Sequence, residues 1–265
     1  LGLMFIQYLA GPKIVEWTMR VRYVKREDYP KLYQMVEDLA QKAKIPAPKI
    51  GVAEIGIPNA FAFGRSIRDG RVCVTSGVLN LLSEDELKAV LGHELSHLKN
   101  RDVLTITLLS VIPMIMYRIA WNFLFFGRRR DERGANTALI GLAAFLFYFI
   151  TNLLVLYASR IREYFADQGS LSMGNKPSSL ASALYKLVYG SARMEKEDLR
   201  EFEGLKAFFA SDPSRALYEI RELKALDRDK NGFIDEYELM TLRNKKVRLN
   251  PGDQMMELLS THPNM

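Results

Sequence analysis

The sequence predicts an α+β fold, mostly helical, built around a helical hairpin of membrane-spanning length and a small β-sheet. Three observations predict it. Residues 103–126, VLTITLLSVIPMIMYRIAWNFLFF, and 138–158, ALIGLAAFLFYFITNLLVLYA, each reach the ~20 apolar residues that cross a bilayer's hydrocarbon. Two short stretches, KIGVAEIG and RVCVTSG, are rich in β-branched residues and bounded by Gly and Pro, as strands are. Elsewhere apolar residues recur at helical spacing, over 27–44, 83–101, 178–196 and 214–244.

In chain order, residues 1–16 open on LGLMFIQYLA, apolar but too short to span alone, and are expected to be the end of a transmembrane segment that starts before Leu1. Residues 17–102 are expected to form the N-terminal part of a folded domain. Arg20, Arg22, Lys25 and Arg26 make a basic cluster there that suits anionic lipid headgroups, or simply a solvated face. The helix over 27–44 is bounded by Pro30 in its first turn and by Pro46 and Pro48 beyond its end. The two strands follow, joined by NAFAFGRSIRDG. Ser83 and Glu86 form a capping-box pattern that starts the next helix, 83–101.

The hairpin occupies 103–158 and turns at GRRRDERGAN, residues 127–136. Arg118 and Asn122 interrupt its first arm, and a charge at bilayer depth costs at least ~2.5 kcal/mol, so Arg118 is expected to snorkel or to face protein. A long buried hairpin in a soluble protein is the competing reading. Residues 159–194 complete the domain, 195–250 read as a helical insert, and 251–265 form a C-terminal segment. The net charge is +6, with no basic stripe interleaved with aromatics, which argues against a nucleic-acid partner. Cys73 is the single cysteine, so no internal disulfide forms, and it is expected to pack in a strand.

The chemistry lies in AVLGHELSHLKNRD, residues 89–102. His93 and His97 are four apart on a helix, so their imidazoles project from one face and can share an ion. Zinc takes neutral imidazole nitrogens at about 2 Å, and a catalytic site needs three protein ligands with one position open to water. Glu94, next to His93, is placed to take that water's proton and pass it to a leaving amine. Only three histidines occur in 265 residues, so two surface histidines falling into HExxH by chance is the weaker reading. The pattern predicts a zincin-like metalloprotease domain.

For a third ligand, the hairpin supplies a geometric argument. Both arms rise equally per residue, so residues equidistant from the turn lie at one height. With the turn centred on Asp131, the position mirroring His97 is 165, inside SRIREYFAD, where Glu163 and Asp167 share a helical face. One could be a ligand and the other could hold an imidazole. Spacing alone leaves open which is which, and a salt-bridged helix end with Arg160 and Arg162 is the plain alternative.

A second constellation lies in the insert. DRDKNGFIDEYE, residues 227–238, fits the calcium-loop pattern completely: Asp227, Asp229, Asn231, the Phe233 carbonyl, Asp235 and Glu238 offer oxygens, with Gly232 at the sharp turn. Calcium is therefore a candidate second ion. An Asx-rich turn that binds nothing competes with it, because the usual partner loop is missing.

Four motifs together, NAFAFG at 59–64, GHELSHLKNRD at 92–102, SRIREYFAD at 159–167 and STHPNM at 260–265, resemble HtpX-type membrane zinc metalloproteases, relatives of the CAAX prenyl endopeptidases. The likeness covers nearly the whole chain except about residues 195–250. It implies that Glu163 is the third zinc ligand and that Asp167 supports a histidine. It also implies that Asn59 and Ala60 lie by an edge strand beside the substrate cleft, and that His262 contributes to the surroundings of the active site. An edge strand would bind a peptide through its backbone, with little selectivity for sequence.

These readings converge on a zinc endopeptidase in the cell membrane, crossing it more than once and cleaving polypeptides, either membrane proteins or misfolded ones, in quality control. Two alternatives remain: an endopeptidase for prenylated C-termini, and a catalytically silent membrane scaffold that responds to calcium. Lys13, Lys99, Arg101, Arg160, Arg162 and the Arg20–Arg26 cluster outnumber Arg128, Arg129, Arg130 and Arg133 of the turn, which predicts an active site on the cytoplasmic side. The resemblance implies the same side.

Overall fold

A four-stranded sheet, only two of whose strands are evident from sequence patterning, carries the first of two compact units. The computed structural model describes residues 2–126, 133–192 and 237–238. The first unit takes in the chain up to Arg101 and again from Tyr164, and the second is Asp102–Glu163.

In the first unit, α1 (Gly2–Thr18) leads to β1 (Val21–Tyr23), α2 (Pro30–Ala43), β2 (Lys49–Ala53), β3 (Ala60–Phe63), β4 (Arg71–Thr75), α3 (Ser76–Leu81) and α4 (Glu84–Asn100). The sheet order is β1-β2-β4-β3, with β2 and β4 parallel and the outer pairs antiparallel. The connector between the two expected strands is therefore itself partly a strand, β3, at the edge. Side chains alternate across the sheet. Ile50, Val52, Val72 and Val74 point into a core with Leu39, Leu91 and Leu95, whereas Ala53 and Cys73 point into a second core with Val15, Met19, Phe61 and Phe63. Cys73 is fully buried in β4, and burial pushes its thiol up to about 12.

The second core docks α1. Arg71 is only 6% exposed, and its guanidinium meets Glu16 of α1 at 3.0 Å, the Tyr23 hydroxyl at 2.8 Å and the Asp69 carbonyl at 2.8 Å. A buried cation is tolerated when it is paired and hydrogen-bonded this way. In the basic cluster, Arg22 pairs with Glu54 and Arg26 with Glu37 at the surface, so acidic side chains already meet two of its charges.

Helix α4 starts at a capping box: the Ser83 hydroxyl accepts from the Glu86 amide and the Glu86 carboxylate accepts from the Ser83 amide at 2.8 Å. It ends where Arg101 adopts a left-handed conformation, φ 55°, which caps the last carbonyls. Glu86 also anchors α7 (Pro177–Ala192), accepting from Ser182 at 2.6 Å and from Lys186 at 2.8 Å.

In the second unit, α5 (Asp102–Trp121) continues through a π-helical stretch, Asn122–Phe126, and α6 (Arg133–Ser172) runs back. The Asn122 side-chain Nδ2 donates to the Arg118 carbonyl at the point where the π turn begins, and Arg118 itself is exposed. Contacts pair Asp102 with Arg162, Tyr117 with Tyr148, and Leu124 with Gly141, so the arms are centred at 132–133 rather than at Asp131. At 40 residues, α6 is ~60 Å long, about twice the hydrocarbon thickness, and it passes residue 158 without a break.

Glu86 generates a stability prediction. Burial alone would raise its carboxyl, but the bonds from Lys186, Ser182 and Ser83 outweigh that and hold it below the ordinary carboxylate value. Its contribution to stability is thus complete above the unfolded value of about 4.3 and is lost as pH falls through the lower folded value. Lys186→Met should cost about 3–5 kcal/mol near neutral pH by leaving the buried carboxylate without its cation. Thermal denaturation of the detergent-solubilised protein checks this, and an unchanged melting temperature would contradict it.

Candidate metal centre

Helix α4 divides its circumference among three tasks. Leu87, Val90, Leu91, Leu95 and Leu98 enter the core, which turns His93 and His97 to another face. The two Nε2 atoms lie 3.1 Å apart, with the rings edge to face at 82°. His93 Nδ1 meets the Asp167 Oδ1 at 2.8 Å. A carboxylate there accepts the Nδ1 proton and leaves the Nε2 lone pair of His93 directed toward His97.

Glu163 stands one turn before Asp167 on the unbroken α6. One ligand atom from each of His93, His97 and Glu163 lies within 4.8 Å of the others. Two imidazoles and a carboxylate are a donor set that zinc accepts, with a fourth position left for water. The spacing also fits: two nitrogens ~2.05 Å from zinc and 3.1 Å apart subtend about 98°, not far from the tetrahedral ~109°.

Glu94 is 7% exposed, and its Oε2 accepts the Ala62 backbone N–H of β3 at 2.9 Å. The Thr75 amide of β4 bonds the Asn59 carbonyl, so residues 59, 61 and 63 direct their backbone groups to β4 and the Ala62 amide lies on the outer side of the edge strand. Asn59 is buried just ahead of β3, its amide donating to Thr75 Oγ1 at 2.8 Å and its carbonyl accepting the Thr75 amide at 2.9 Å. Ala60 is buried in β3 itself. Ala62 was not among the residues expected from sequence, although the alternation in AFAF is a strand signal that could have found it.

Of the calcium-loop residues, only Glu238 is among the described ones, and it is buried. Asp227, Asp229, Asn231, Phe233, Asp235 and also His262 lie outside the described residues.

Residues 27–265 match peptidase family M48. This chain belongs to that family. The M48 chain is 57% identical over 187 residues to the "Protease HtpX homolog" of Methanothermobacter thermautotrophicus, covering 71% of this chain and 70% of the relative. It is 42% identical over 211 residues to "Protease HtpX homolog 2" of Methanosarcina acetivorans, covering 78% and 71%, and 39% identical over 210 residues to the Moorella thermoacetica homolog, covering 77% and 70%. A crystal structure of S. mikatae Ste24p overlaps 81% of this chain and 53% of its own at TM-score 0.45 and 18% identity. As an HtpX-type M48 peptidase the chain is a metalloprotease, and zinc is the metal M48 metalloproteases use.

The His93–Asp167 bond predicts that Asp167→Ala weakens zinc binding about 10- to 100-fold without abolishing it. Competition against a chelator measures this. Affinity equal to the wild type would mean that Asp167 does not orient the imidazole.

Proposed function

We propose that this chain is a membrane-embedded zinc endopeptidase that hydrolyses membrane or misfolded proteins, with His93, His97 and Glu163 holding the metal and Glu94 serving as general base. The observation that carries the reading is the position of Glu94. It follows His93 directly on α4 and its carboxylate reaches the outward amide of β3, so it lies between the imidazole pair and the strand edge where an extended peptide could add.

The outer edge of β3 carries the backbone groups of Ala60 and the Ala62 carbonyl, beside the Ala62 amide that Glu94 engages, and a substrate strand adding there is recognised by its main chain, with its side chains nearly unspecified. Broad specificity follows. Held by His93, His97 and Glu163, zinc would supply Lewis acidity toward a scissile carbonyl and a water. Glu94 would accept a proton from the attacking water as its oxygen bonds to the carbonyl carbon and deliver it to the leaving nitrogen as the C–N bond breaks. Asp167 keeps the Nδ1 proton on His93 throughout.

Membrane insertion rests on Asp102–Phe125 and Thr137–Ser172, both long and apolar enough to cross a bilayer. Leu108, Ile112, Leu139, Leu142, Leu146 and Phe147 on these helices are exposed, as lipid-facing residues would be and the core of a soluble protein would not. The excess of Lys and Arg at the opposite end from the turn supports a cytoplasmic active site.

Glu94→Gln should retain zinc at the wild-type stoichiometry and lose about 10²- to 10⁴-fold in casein cleavage, since only the proton acceptor changes. Wild-type cleavage by this variant would remove Glu94 from the chemistry and favour a scaffold that happens to hold metal. The protein should also remain in membranes through an alkaline carbonate wash. Release without detergent would favour a soluble peptidase.

A further inference from the structure

The face of α6 that bears Glu163 and Asp167 also bears Ala166 and Ser170, both completely buried. The facing side of α4 interleaves His93 and His97 with Gly92 and Ser96. A Cβ added at Gly169 would fall 2.7 Å from the Ser96 Cβ, and one added at Gly92 would fall 2.8 Å from the Ser170 Oγ. No side chain fits between the helices at these two points. Ser170 Oγ donates to the Ala89 carbonyl at 2.7 Å, Asn175 Nδ2 donates to Ser170 Oγ at 3.0 Å, and Ser96 Oγ turns back to its own Gly92 carbonyl at 2.8 Å.

We infer that Gly169, seated on Ser96, is a positioning residue for the metal centre: the missing Cβ sets how closely α6 approaches α4, and so whether Asp167 reaches His93. Helices packed through ordinary side chains keep their axes ~8–10 Å apart. Asp167 has one methylene, and its 2.8 Å bond to His93 Nδ1 leaves no slack for a wider seam. Gly169 lies only two residues from Asp167, so displacement there is transmitted directly. A loop would absorb the shift, but an unbroken helix carries it on to Glu163.

This inference rests on the proposed metal site, and the experiment separates the two. Zinc affinity by chelator competition, the melting temperature of the metal-free protein, and the visible absorption of its cobalt(II) form are measured in detergent for full-length wild type, Gly169→Ala, Ser96→Gly and the double variant. Gly169→Ala should bind zinc about 10- to 100-fold more weakly, as loss of an outer hydrogen bond to a ligand does, with an altered cobalt spectrum. Ser96→Gly alone should melt lower, because glycine weakens a helix interior, yet keep its zinc affinity.

The double variant should recover affinity to within about threefold of the wild type, because the nearest atom facing the new Cβ is then the residue-96 Cα, 3.9 Å away. A purely structural role predicts no such recovery in the less helix-prone background. Gly169→Ala binding zinc like the wild type, or a double variant no tighter than Gly169→Ala, overturns the inference while leaving the metal site standing. Wild type that holds no zinc overturns both. Should Gly169→Ala fail to fold, Ser170→Ala removes the Ala89 bond without added bulk and should still weaken zinc, and unchanged affinity would overturn the inference.

Discussion

The contact of His93 Nδ1 with Asp167 is the interaction on which the candidate centre depends. It joins residues 74 apart in sequence, and it works only if two helices meet almost backbone to backbone. Helix α4 supplies Gly92 and Ser96 to that meeting, and α6 supplies Gly169 and Ser170. Small residues there have no function as ligands. They bring short polar side chains within hydrogen-bonding range of each other, where larger residues would hold them apart. The tautomer of His93 is in this way a consequence of packing density.

Two buried charges of the first unit, Glu86 and Arg71, are each held by several partners. Glu86 closes the start of α4, and the same carboxylate takes Ser182 and Lys186 from α7, so one charge caps a helix and locks its neighbour. Arg71 uses its fork on Glu16, Tyr23 and the Asp69 carbonyl, fastening α1 to the sheet. Arg65 and then Arg71 hold the Asp69 carboxyl at about 2, so it stays ionised beside the buried guanidinium down to strongly acidic pH. Neither cluster touches the α4–β3 contact, which Glu94 makes itself through the Ala62 amide.

Legibility of the sequence varied with how local the cause was. The capping of α4 by Ser83 and Glu86 was readable, since both partners lie within one turn. β1 was not, because Val21–Tyr23 is three residues long and sits in a basic stretch whose acidic partners Glu54 and Glu37 are distant in sequence. β3 reads as a connector although AFAF alternates, because the glycine and charged residues after it dominate the segment. The hairpin's centre differed by one to two residues from the midpoint of its polar turn, because ring and ion pairs between the arms, not the turn's composition, fix their offset.

By itself the sequence determined the helical spacing of His93, Glu94 and His97, the apolar lengths of the two hairpin arms and the mostly helical class, because each follows from periodicity and length within one segment. The choice between Glu163 and Asp167 was different. Both face the same way on one helix, and their chemistry is alike. What distinguishes them is their contacts: Asp167 meets His93 Nδ1 at 2.8 Å, while Glu163 brings a carboxylate oxygen within 4.8 Å of a nitrogen from each imidazole. That distinction needed the tertiary structure, and so did Ala62, whose amide meets Glu94 from a strand 32 residues away. A pattern along one segment can tell which way a side chain points, but only the packed chain decides which atoms it meets.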